Sequence, residues 1–170
     1  SEDRIKQSNI KSFIDFLVKH YNYPTNEFDY LPLHAWSIAN KEKFWKAIWE
    51  FFKVEGDMGS TILNNGQLMP GAEWFPEAQL NFAQNLLKES STKNAISIIE
   101  RGEHGRRVEI TFQELKDQVA KVRHYLIKQD VQKGDCVAGF LPNSHHAIVA
   151  MLATASIGAI WTSCSPDFGI

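Results

Sequence analysis

From Cys136 to Ile170 the chain carries a single formal charge, Asp167, and no other stretch restricts its fold so tightly. Cys136 to Leu141 has no charged residue, the pattern of a strand buried on both faces. Pro142-Asn143-Ser144 then supplies a helix start, and Gly158 ends a helix over His145 to Ile157 that is apolar nearly all round. Such a helix belongs between layers. Ala159 to Ser163 reads as a second buried strand, so the unit is strand, helix, strand with a right-handed crossover. It is no membrane span. Thr154, Ser156 and Gly158 interrupt Ala147 to Trp161, which also falls short of the roughly 18–20 apolar residues needed to cross a bilayer.

Upstream, Ala95 to Glu100 and Arg106 to Thr111 flank a loop and predict an antiparallel hairpin. Thr111-Phe112-Gln113-Glu114 has the spacing of a capping box, and Leu115, Val119, Val122 and Leu126 form the stripe of the helix it opens. Lys133-Gly134-Asp135 turns the chain into the first buried strand. Ahead of the hairpin, Ile10, Phe13, Ile14, Leu17, Val18 and Tyr21 fit a helix that Pro24 stops. After a loop with Tyr30 and Pro32, Asn40 caps a helix with an apolar face of Phe44, Trp45, Ile48, Trp49 and Phe52. Lys53 to Gly71 shows no period and should wrap over a surface, and a short helix follows Trp74-Phe75-Pro76. The expected fold class is α/β: a helical N-terminal region with a wrapping loop over 1–91, then a hairpin and the start of a doubly wound, mostly parallel sheet over 92–170.

Composition removes several classes. Residues 1–85 hold 8 basic and 11 acidic side chains and residues 86–170 hold 10 and 9, so neither half has the basic excess of a nucleic-acid footprint. Cys136 and Cys164 lie 28 residues apart without metal-ligand spacing, which predicts free thiols in a reducing compartment. The N-terminus lacks a signal-peptide pattern and no N-x-[ST] sequon occurs, so the expected location is the cytoplasm, with no membrane and no nucleic acid as partner.

The sequence holds no GxxxxGK[ST] loop, no GxGxxG after a strand, no GxSxG and no HExxH, hence no complete catalytic constellation and no metal set. It does hold a position: ligands of open α/β sheets bind beyond the carboxyl ends of the strands, here Pro142 to His145 and Ser163 to Phe168. His145 and His146 have no carboxylate nearby in sequence and read as a partly exposed pair at a helix start. Cys164 reads as a small buried residue at a strand end, and Trp36, Trp45, Trp49 and Trp74 read as packing. Asp167, shaped by Pro166 and Gly169, reads two ways: turn former or ligand contact.

Taken together, these segments resemble a known family. Trp74-Phe75-Pro76-Glu77-Ala78-Gln79-Leu80-Asn81-Phe82-Ala83-Gln84-Asn85-Leu86-Leu87 is similar to the signature in the N-terminal region of acetyl-CoA synthetase-like enzymes, within the AMP-forming acyl-adenylating superfamily. Thr111 to Leu115, Lys133 to Val137, Met151 to Ala153 and Ile157 to Ile160 resemble successive landmarks of that superfamily's large domain. Trp161 to Gly169, with Trp36-Ser37 and Phe44-Trp45, resembles its acetoacetate-activating branch.

The resemblance implies the first quarter of an ATP-dependent acid-thiol ligase that turns acetoacetate, ATP and CoA into acetoacetyl-CoA, AMP and pyrophosphate through an acyl-adenylate. It places the phosphate loop, the acidic residue linked to Mg²⁺ and the adenylation lysine beyond Ile170, so this stretch alone is expected to be inactive and to bind none of ATP, Mg²⁺ or CoA. By the same resemblance Ser165, Pro166, Asp167 and Phe168 form a loop on the CoA side, and the partners are small molecules. Two alternatives stand beside it: an acetyl- or propionyl-CoA synthetase-type ligase, and a free-standing α/β binding module without catalysis.

Overall fold

A computed structural model describes residues 2–88, 94–102 and 105–167, which fold as two compact units divided between Leu80 and Asn81. The division falls ahead of the expected linker Lys88 to Asn94, most of which lies outside the described residues. Asn81 explains the early break. Its Nδ2 donates to the Ala155 carbonyl at 2.9 Å, and Ala83 is fully buried in the core of the second unit.

The first unit begins with α1 (Glu2–Lys6) and α2 (Asn9–Tyr21), which buries Phe13, Ile14 and Leu17. Ser8 accepts from the Lys11 N–H at its start, and its end is set by Asn22 in the left-handed conformation (φ 55°), two residues before Pro24. The region expected to be a loop around Tyr30 and Pro32 is α3 (Tyr30–Ala39): Asp29 caps it, and Pro32 sits in the first turn, where a missing N–H costs no intrahelical bond. Asn40 does not cap α4 (Lys41–Phe51) with its side chain; that amide instead donates to the Trp36 carbonyl and closes α3. Phe13, Leu17, Tyr23, Leu33 and Ala47 form the core, with Phe13 edge-on to Phe44 and Phe51. Of the expected α4 face, Trp45 and Phe52 stay exposed to the extent of 43% and 53%.

The expected aperiodic loop contains two nested hairpins. β1 (Gly56–Asp57) pairs antiparallel with β4 (Gln79–Leu80), and inside it β2 (Leu63–Asn64) pairs with β3 (Glu73–Trp74). Two-residue strands are too short to leave a period in sequence. Tryptophans hold the excursion against α4, Trp45 against Trp74 and Trp49 against Phe75. Glu77 pins the far side: its Oε2 accepts from the Ser60 N–H (2.7 Å) and hydroxyl (2.8 Å), and Oε1 from the Thr61 hydroxyl (3.2 Å). Those hydrogen bonds hold its carboxyl below the ordinary Glu value.

The second unit opens with α5 (Phe82–Leu87), capped by Asn81, then the hairpin of β5 (Ile96–Arg101) and β6 (Arg107–Thr111). The capping box at Thr111 and Glu114 is formed, and α6 (Phe112–Lys128) buries Leu115 and Val119 as its stripe requires. β7 (Cys136–Phe140), α7 (His145–Ile157) and β8 (Ile160–Cys164) make the strand, helix, strand unit, with the strands parallel. Ala83, Ile110, Leu115, Val119, Val149, Leu152 and Ala153 form its core, where α7 packs on α5 and α6. Gly158 (φ 82°) ends α7 in a conformation only glycine adopts freely. The fold class is α/β.

β7 and β8 are not buried on both faces. Of their ten residues only Gly139 is buried, and Val137 and Trp161 are half-buried. A strand without charges tolerates burial; burial itself depends on what packs over it, and among the described residues the sheet has two strands. Cys164 is likewise exposed, as is Cys136, and both thiols are free.

Candidate active-site edge of the parallel strands

Parallel pairing decides which loops meet. Cys136 pairs with Ile160 and Phe140 with Cys164, so Leu141 to Ser144 and Ser165 to Asp167 both leave from the carboxyl end of the sheet. At the opposite end the Gly134 N–H donates to the Gly158 carbonyl at 3.1 Å and the Ile160 N–H to the Asp135 carbonyl at 2.7 Å. The Lys133-Gly134-Asp135 turn is thus tied to the start of β8.

In the second loop, the Ser165 hydroxyl donates to Asp167 Oδ2 at 2.9 Å and accepts from the Asp167 N–H at 3.2 Å. Asp167 is exposed, so one carboxylate oxygen holds the turn while the group faces solvent. Pro166 is exposed and Ser165 half-buried; Phe168 lies outside the described residues.

The first loop holds a contact that sequence reading missed. Glu100, on β5, reaches the start of α7, where its Oε2 accepts from the His145 N–H at 2.8 Å and lies 2.7 Å from His145 Nδ1. His145 is therefore no partly exposed surface residue: it is 9% exposed and pairs with a carboxylate 45 positions away. Only His146 of the two is exposed, its ring centroid 3.8 Å from that of His145. The bond from the His145 N–H, then that from its ring, hold the Glu100 carboxyl below the ordinary Glu value. Ser144, the N-cap by position, makes no side-chain cap bond, and Glu100 satisfies a different orphan donor of the first turn, the His145 N–H, from another element.

Among the described residues no group of three or more His, Cys, Asp or Glu could hold a metal ion. The sequence holds no glycine-rich phosphate loop. The second unit also has a groove of about 590 Å³ between α5, α6 and α7, lined by Gln84, Lys116 and Arg123 among others, away from the strand-end loops. No helix among the described residues is long and apolar enough to cross a membrane.

Residues 86–170 match the AMP-binding enzyme family, and residues 30–86 match the acetyl-coenzyme A synthetase N-terminus. The chain belongs to the AMP-binding enzyme family. It is 41% identical over 165 residues to an acetoacetyl-coenzyme A synthetase of Rhizobium meliloti (strain 1021), covering 97% of this chain and 25% of that protein. A malonamoyl-CoA synthetase of Penicillium aethiopicum is 35% identical over 171 residues, covering 97% and 23%. The structure of acetoacetyl-CoA synthetase from Streptomyces lividans superimposes with a TM-score of 0.87 at 38% identity, over 99% of this chain and 26% of that one. The chain thus spans about a quarter of the length of the family members it matches.

Proposed function

We propose that this chain is the N-terminal part of an ATP-dependent acyl-CoA ligase that converts acetoacetate, ATP and CoA to acetoacetyl-CoA, AMP and pyrophosphate through an acyl-adenylate. The observation that carries the reading is the fit to the Streptomyces lividans acetoacetyl-CoA synthetase along 99% of the chain. Expected substrates are small molecules: a short acid, ATP with Mg²⁺, and CoA. The sequence holds no glycine-rich phosphate loop, so the 170 residues alone are expected to be inactive.

What these residues supply is one wall. The loop from Ser165 through Asp167 to Phe168 is assigned to the CoA side. A carboxylate side chain such as that of Asp167 accepts hydrogen bonds and repels phosphate, so it suits the hydroxyl and amide donors of CoA and not its phosphates. The Ser165 hydroxyl fixes its direction before any ligand arrives.

The test is to read the coding sequence on both sides of these residues, express the polypeptide it specifies, and measure acetoacetate-dependent pyrophosphate and thioester formation. Activity that prefers acetoacetate over acetate and propionate is the expected result. A preference for acetate or propionate replaces the substrate, and no CoA- or ATP-dependent reaction with any short acid overturns the ligase reading in favour of a binding module.

A further inference from the structure

We infer that Glu100 is a positioning residue which closes the start of α7 from the neighbouring hairpin and fixes the His145 imidazole as its Nδ1–H tautomer, setting the loop at the carboxyl edge of the β7–β8 sheet. Three observations carry it. His145 is the first residue of α7, so its N–H has no intrahelical acceptor, and the N-cap Ser144 makes no side-chain cap bond of its own to the turn. One carboxylate oxygen, Glu100 Oε2, supplies it at 2.8 Å and meets Nδ1 of the same residue at 2.7 Å. His145 is buried, so water cannot replace either bond cheaply.

The tautomer follows from the chemistry of the acceptor. An ionised carboxylate has no proton to give, so the contact to Nδ1 is a hydrogen bond only if Nδ1 carries the hydrogen. In the neutral ring, Nε2 is then the unprotonated nitrogen. A negative charge at a helix N-terminus also meets the positive end of the helix dipole, which favours the same arrangement.

The significance of the loop for a ligand rests on the proposed ligase reading; the positioning itself does not, and its test needs no substrate. Imidazole ¹⁵N spectra of the chain at about pH 8.5, where unpaired imidazole is neutral, should show His145 Nδ1 as protonated and Nε2 as unprotonated. In Glu100→Ala the ring should shift to mostly Nε2–H. The amides of Asn143, Ser144 and His145 should then exchange at least about tenfold faster while those in the middle of α6 hold their rates. Glu100→Gln keeps an acceptor oxygen and should restore part of the amide protection. A wild-type His145 protonated at Nε2 overturns the inference, even if Glu100→Ala fails to fold. So does a Glu100→Ala spectrum identical to wild type.

Discussion

The indole of Trp161 lies across the bare Cα of Gly139 on the adjacent strand, so close that a Cβ built there would sit 2.3 Å from Cη2 and 2.7 Å from Cζ2. The ring covers the one buried position of β7 and needs a residue without a side chain beneath it. Gly139→Ala should therefore destabilise the second unit by about 1–3 kcal/mol, as overpacking does. In a Trp161→Ala background the same change should cost nothing or stabilise slightly, because alanine restricts the unfolded chain. Denaturation of the four members of this cycle checks it: equal costs in both backgrounds would locate the strain elsewhere.

Three carboxyl groups, Glu77, Glu100 and Glu114, are each held below the ordinary Glu value of 4.5 by hydrogen bonds donated to them. As pH falls below that value, the unfolded chain takes up protons first. Stability from these groups is thus complete above the ordinary range and is lost as pH drops through their folded values. Urea midpoints measured from pH 7 to pH 3 should fall, and replacing all three with glutamine should flatten the slope. An unchanged slope would mean other groups control acid unfolding.

Thr111 accepts from the Glu114 N–H at 3.2 Å, and Glu114 Oε2 accepts in return from the Thr111 N–H at 2.8 Å. Thr111→Ala removes one half of that exchange at the start of a 17-residue helix. A loss of about 0.5–2 kcal/mol is expected, with the circular dichroism spectrum otherwise unchanged.

The capping box was legible because both partners lie within four residues, and α2, the hairpin, and the α7 end at Gly158 were legible for the same reason: their signals are local. Misreadings arose where the deciding contact is remote or the element is short. Pro32 marks a loop to the eye, yet Asp29 makes its position the first turn of α3. Two-residue strands such as Leu63–Asn64 carry no alternation. Glu100 and His145 meet across 45 residues, and nothing in the spacing of either announces the other. Of the expected site, the sequence showed which loops follow the strands, and parallel register places those loops at one end.

Thr154 is fully buried in α7 and its hydroxyl has no hydrogen-bond partner among the described residues. Valine has nearly its shape without the polar atom. Thr154→Val should raise the stability of this chain by about 1 kcal/mol, since it removes an unsatisfied group from an apolar core. A destabilised variant would show that the hydroxyl finds a partner in solution, such as a buried water.

Asp167 offers the sharpest test of the proposed CoA-side role, because turn formation and ligand contact predict different kinetics in the proposed ligase. Its carboxylate already takes one bond from Ser165, and Asp167→Asn preserves an oxygen that can accept that bond while removing the charge. The turn should therefore survive the substitution. If the charge serves CoA, KM for CoA should rise severalfold while acetoacetate-dependent pyrophosphate exchange keeps its rate, a loss confined to thioester formation. If Asp167 only shapes the loop, Asp167→Asn should leave both half-reactions near wild type and Asp167→Ala, which also removes the bond to Ser165, should depress them together. Measuring exchange and thioester formation separately on both variants decides between the two roles.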